Sequence, residues 1–167
     1  MKVLQKKICA LFSAIALVVS LIFCTACGVT TGGVLEDTTE KITSFYETVS
    51  ASQKCLDEVA DDIYSNWYNA IYKDKYGGSI DLAIYYAQID NSVNLSTIEA
   101  NEPIIQSLYK EVRDSDLSTE IKAVMSAYSD YYEFVVNVSG SFNTFSASKE
   151  TLKKELASAL KELALEM

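Results

Sequence analysis

The 167-residue chain contains no histidine, a single proline, a single arginine (Arg113) and six glycines. Without histidine it lacks the usual general base near neutral pH and the commonest metal ligand. One arginine leaves little scope for a bidentate clamp on phosphate or carboxylate. Basic residues are also scarce: Lys and Arg number 14 against 23 Asp and Glu, a formal charge of −9. Nucleic-acid binding depends on cations that neutralise phosphates, so a nucleic-acid partner is excluded. So few helix-breaking residues favour long helices over a loop-rich fold.

What is present begins with an address. Lys2, Lys6 and Lys7 precede the uncharged run "ICALFSAIALVVSLIF" (8–23), and the small residues Thr25 and Ala26 follow. This order matches a secretory signal, and the run is shorter than the ~20 residues of a spanning helix. Within it, Cys24-Thr25-Ala26-Cys27 resembles the lipobox of bacterial lipoprotein signal peptides. The resemblance covers only the first 28 residues. It implies that Cys27 is lipidated and becomes the new N-terminus, on the extracytoplasmic face of a bacterial membrane. Residues 1–26 are then the signal peptide, 27–34 the lipidated cysteine and a short tether, and 35–167 the folded domain. A redox or metal reading of the Cys24–Cys27 spacing fits poorly, because cleavage before Cys27 separates the pair and no βαβ pattern surrounds it. Loss of the three lysines leaves 11 basic residues against 23 acidic ones. Such a surface suits a basic protein partner.

The domain itself reads as all-α. Leu35, Ile42, Val49, Leu56, Ile63 and Ala70 recur every seven residues, with Phe45 and Val59 between them. This predicts one helix to about Lys75, opened by the capping box Asp37-Thr38-Thr39-Glu40 and stopped by Gly77-Gly78. Ser79 then caps a second segment, in which Leu82, Tyr86, Ile89 and Val93 share a face. A break is expected near Ser96-x-x-Glu99 or at Pro103. From Leu117 to Leu163 apolar residues recur in steps of three and four, and the phase is kept across Gly140. The fold expected is an elongated antiparallel bundle of three long helices, the third bent near Gly140. The alternative is four helices with a break there.

No nucleophile elbow, phosphate loop or dinucleotide fingerprint occurs. "SASK" (146–149) has the Ser-x-x-Lys spacing but no companion motif. Cys55 has no histidine to activate it. No enzyme, cofactor or metal centre is expected. Asp57, Glu58, Asp61 and Asp62 are spaced to bind a hard cation, but their phase against Leu56 and Ile63 reads as a solvated face. The tyrosines carry more weight. In "YSNWYNAIYKDKY", Tyr64, Tyr68, Tyr72 and Tyr76 recur every four residues, with Trp67 and Ile71 between them. The bland reading places these rings at the bundle rim. The functional one makes Tyr64, Trp67, Tyr68 and Tyr72 a partner-binding strip, because Tyr and Trp dominate interface hot spots. The function expected is therefore a membrane-anchored, non-enzymatic interaction module: a scaffold, an envelope-complex accessory or an inhibitor. The alternative is a small-ligand carrier with an aromatic cavity near Trp67, Tyr86 and Tyr128.

Overall fold

The computed structural model describes residues 33–167, with side chains from Asp37 onward. The signal segment 1–26, Cys27 and most of the tether lie outside the described residues, as does the side chain of Leu35. Among the described residues every regular element is helical. The described residues form five α-helices instead of three: α1 (Gly33–Lys73), α2 (Ile80–Asp90), α3 (Ser92–Val112), α4 (Ser118–Val136) and α5 (Phe142–Glu166).

α1 has 41 residues, which makes it about 62 Å long. It begins before the expected capping box. Asp37 instead pairs with Lys41 one turn on, at 2.8 Å. The seven-residue stripe faces the core: Phe45, Val49, Leu56, Val59 and Ile63 are fully buried. Truncating Leu56 to Ala should cost about 2–5 kcal/mol. The helix stops at a left-handed turn, where Asp74, Tyr76, Gly77 and Gly78 all have positive φ. Ser79 Oγ then accepts from the Leu82 N–H and caps α2, as its place in the sequence predicts.

The breaks differ from the expected ones. α3 runs through Ser96, Glu99 and Pro103 without interruption. Ile98 and Ile105 are fully buried on either side of Pro103, and this packing offsets the hydrogen bond that proline removes. The division falls at Asn91, and backbone hydrogen bonds continue across it from Asn91 to Ala87 and from Leu95 to Asn91. α2 and α3 therefore form one stem with a single irregular residue. At Gly140, by contrast, the chain turns. Gly140 has φ +90°, and Ser141 caps α5 by accepting from the Thr144 N–H at 3.2 Å. The preserved apolar phase comes from two helices facing one core and not from one bent helix. Phe134 and Phe145 stack across the turn with centroids 4.7 Å apart.

Side-chain pairs fix the directions. Lys41 meets Glu111, Ser52 meets Asn101, Glu58 meets Asn94 and Asp62 meets Asn91, so the α2–α3 stem runs antiparallel to α1. Asp57 meets Lys153 and Asp61 meets Lys149, so α5 is antiparallel to α1 as well. Tyr128 lies beside Ser52 and Tyr131 beside Asp57, which sets α4 parallel to α1. Every other stem thus packs on α1.

The acidic run on α1 is solvated as expected, with Glu58, Asp61 and Asp62 exposed and Asp57 half-buried, but its carboxylates also reach neighbouring helices. Tyr131 Oη donates to Asp57 at 2.9 Å, and Lys149 and Lys153 reach Asp61 and Asp57 from α5. Asn91 donates to Asp62 at 2.6 Å, and Asn94 donates to Glu58 at 2.8 Å. The i, i+4 spacing sends one pair of carboxylates toward α4 and α5, and the other toward the α2–α3 junction. All four carboxylates are struts between helices. Among the described residues, no cluster of Asp, Glu or Cys has the arrangement of a metal site.

Candidate interaction surface

The tyrosine strip lies on the last turns of α1, and Phe142, at the start of α5, organises it. Tyr64 stacks on Phe142 (5.2 Å, 24°), and the rings of Tyr68 and Tyr72 lie 6.2 and 6.1 Å from it. Tyr68 and Tyr72 are themselves 4.7 Å apart. The four residues singled out from the sequence divide by depth. Trp67 is only 3% exposed and packs against Phe142 and Phe145, so it is a core residue. Tyr64 is half-buried, with the Lys149 ammonium 4.7 Å from its ring centroid. Tyr68 and Tyr72 are exposed, Tyr72 to 60%.

A second set of exposed apolar side chains lies where the sequence reading expected core. α2 is apolar on nearly all sides, and its fully buried residues are Ala83 and Ala87. The small side chains face inward, four residues apart on one side of the helix. Ile84 packs half-buried against the core, but Ile80, Leu82, Tyr85, Tyr86 and Ile89 are all exposed, and Val93 follows at 71%. The face expected to be buried through Leu82, Tyr86, Ile89 and Val93 is therefore an outward one. Among the described residues, nine of the twelve large exposed hydrophobic ones fall between Tyr68 and Val93. Folded monomers seldom expose so many large apolar side chains over so short a stretch of chain.

Local structure holds this surface in place. The left-handed Tyr76 (φ 62°) brings its ring onto Tyr86, with centroids 5.4 Å apart and planes 19° from parallel. A non-glycine residue in that conformation costs about 1–2 kcal/mol, which the aromatic stack and the following glycines help to offset. Tyr85 meets Tyr86 edge-on at 5.8 Å. Two lysines lie over rings of the surface, Lys73 over Tyr68 at 5.6 Å and Lys75 over Tyr76 at 4.8 Å. These ring faces therefore already accept cations.

Sequence reasoning missed Tyr85, Leu82 and Ile89 as surface residues. The available signal was the alternation of Ala83 and Ala87 with bulky neighbours, because a helix apolar all round seats its smallest side chains where another helix comes closest. The aromatic residues named for a cavity are not gathered round one. Trp67 packs on phenylalanines, Tyr86 stacks on the exposed turn, and Tyr128 is buried beside Ser52 and Glu102. Burial raises the Tyr128 hydroxyl pKa well above its ordinary value, and Glu102 adds to this. Burial also raises the Cys55 thiol pKa, with a smaller contribution from Glu58, which suits a packing residue better than a nucleophile. No protein-family model, curated protein or solved structure matches the chain.

Proposed function

We propose that the protein is a membrane-anchored extracytoplasmic lipoprotein that acts without catalysis, as a helical protein–protein interaction module of an envelope assembly. The observation that carries this reading is the outward apolar face of α2, which adds to the exposed Tyr68 and Tyr72 at the end of α1. Leaving that much apolar surface in water is unfavourable by ~25 cal/mol per Å², a cost that a docked partner removes. The packing of the other stems around α1 serves as a rigid support. α1 starts six residues after Cys27, so an extended tether spans about 20 Å. The start of α1 and the docking face lie at opposite ends of this 41-residue helix. A lipid on Cys27 would hold one end of the module at the membrane while the other end meets the partner.

The test places a photo-crosslinking residue at Tyr85 in cells that express the full chain. One defined adduct is expected, and it should disappear when Tyr68 and Tyr72 are both changed to Ala while helicity is unchanged. An adduct that ignores this double substitution removes the strip from the reading. Replacing Cys27 with Ser should release the protein from membranes or stall its processing. Unchanged anchoring and processing would end the lipoprotein part.

A further inference from the structure

We infer that the outward face of α5 pairs with the same face of a second copy of the chain, the two α5 helices lying parallel. Taking ~100° per residue, Thr151, Ser158 and Leu165 form one column, opposite the buried Leu156 and Leu163. Lys154 and Lys161 line one flank of that column, and Glu155 and Glu162 line the other. All seven residues are exposed, Leu165 to 74%. The inward lysines of α5 are paired: Lys149 reaches Asp61 and Glu150, and Lys153 reaches Asp57 and Asp61. Among the described residues, none of the four outward charges forms an ion pair. Beside the Glu flank, between α4 and α5, lies an open cleft of about 490 Å³ whose walls include the small residues Ala123, Ser126 and Ala127.

The two stripes select the occupant and its direction. Charges that flank a helix seam set which helices pair and in which orientation. A two-fold axis along the helices brings the Lys stripe of each copy against the Glu stripe of the other. Lys154 then meets Glu155 of the other copy and Lys161 meets its Glu162, each offset by one residue, or ~1.5 Å. The two-fold repeats both contacts. An antiparallel two-fold instead sets Lys against Lys on one flank and Glu against Glu on the other. The face thus carries its own complement, but only for a parallel neighbour. Its two lysines and two glutamates cancel, so the acid excess of the whole chain is not concentrated at this contact. Thr151 and Ser158 are small enough for close approach, and the cleft gives the lysine stems of the other copy room to lie along its walls. Parallel pairing also puts the start of α1 at the same end of both copies, as two chains anchored in one membrane require. Exposed charge pairs are individually weak, and anchoring supplies the effective concentration that such a contact needs. That last point rests on the anchor proposed above, which Cys27→Ser tests separately. No residue of the contact belongs to α2 or to the tyrosine strip.

The experiment places single cysteines in the full chain carrying Cys55→Ser and oxidises intact expressing cells mildly. Disulfides are mapped by mass spectrometry, so other cysteines do not confuse the result. Thr151→Cys and Leu165→Cys should each give a disulfide-linked homodimer, well above the level given by Ser107→Cys at an exposed position on α3. When the two variants are expressed together, disulfides between positions 151 and 165 should stay at that control level. Lys154→Glu with Lys161→Glu should cut the homodimer at least about fivefold, in keeping with the loss of four exposed charge pairs. Adding Glu155→Lys and Glu162→Lys to the same chain should restore it, because the exchanged stripes are again complementary. Circular dichroism of the purified variants should be unchanged, since every substituted position on α5 is exposed. Homodimers no more abundant than at Ser107→Cys overturn the self-pairing, and disulfides between positions 151 and 165 overturn its direction. Homodimers that ignore the charge reversal, or fail to return with the exchanged stripes, overturn the part given to the charges. A disulfide to a different protein in place of the homodimer assigns the face to another partner and overturns the inference.

Discussion

Lys149 of α5 is 7% exposed, and its ammonium group binds Asp61 of α1 while lying over the ring of Tyr64. Burial opposes the charge on Lys149, but Asp61 and then Glu150 outweigh it and raise its pKa above the ordinary value. Burial likewise opposes the Asp61 carboxylate, yet Lys149 and Lys153 hold its pKa below the usual carboxylate range. A buried ammonium tolerates loss of its partner poorly.

Asp61→Asn should therefore destabilise the fold by about 1–2 kcal/mol, the half-exposed carboxylate limiting the loss. Lys149→Met should cost less, because it removes the buried charge along with its need for a partner. Urea unfolding of both variants measures this. A larger loss for the methionine variant would contradict the argument.

The same pair predicts the pH profile. Asp61 has a depressed folded pKa, so its contribution is present above the ordinary carboxylate range and is lost as pH falls through the folded value. Lys149 has a raised folded pKa, so its contribution is complete below the ordinary lysine value and is lost as pH rises through the folded one. Tyr128 and Tyr131 add to the alkaline loss. Burial, with Glu102 and Asp57 respectively, raises their pKa values far above ~10, so the unfolded chain gives up these protons first. Melts followed by circular dichroism should show stability falling at both extremes. Tyrosinate absorbance from Tyr128 and Tyr131 should appear only together with loss of the helical signal. Their ionisation with the helices intact would refute the assignment.

The orientation of α2 predicts an inverted mutational pattern. Tyr85→Ala and Leu82→Ala should change stability by less than about 0.5 kcal/mol, as surface changes do. Ala87→Leu, which adds bulk to a closed seam, should cost about 1–3 kcal/mol. Thermal melts of the three variants decide it. If the large residues prove the costly ones to remove, α2 packs by the other face.

Asn91 and Asp62 join the irregular residue of the α2–α3 stem to α1. Asn91 is buried and donates to Asp62 and to the Ala87 carbonyl, and Asn94 donates to its side-chain oxygen. Asn91→Ala should cost about 1–3 kcal/mol, since it leaves polar groups unpaired. A double-mutant cycle with Asp62→Ala should yield a coupling of at least about 0.5 kcal/mol. Strict additivity would mean that the hydrogen bond contributes nothing to stability.

Much of this was legible before any coordinates. The seam of α1, from Ile42 through Phe45, Val49, Leu56 and Ile63, repeats with helical period and is buried as read. So is the run from Ile121 through Val124, Tyr128, Tyr131 and Val135. Gly77-Gly78 and Ser79 marked the end of one helix and the cap of the next, because positive φ and an N-cap oxygen are local requirements. Breaks that depend on packing were not local. Pro103 stays inside α3 because buried isoleucines hold it there, and Gly140 turns because α5 folds back on α4.

What the sequence determined by itself is the helical class, the acid excess and the two core stripes, all of which rest on composition and on a period of about 3.6 residues. Tertiary structure alone decided which side of α2 is covered and what the acidic run on α1 does. Periodicity identifies an apolar face but not what packs on it. At α2 the close approach of a neighbouring stem is made by Ala83 and Ala87, so most of the bulky side chains, Ile84 apart, remain outside. Asp61 and Lys149 are 88 residues apart in the chain, and no local pattern records a pair that only the return of α5 along α1 brings together.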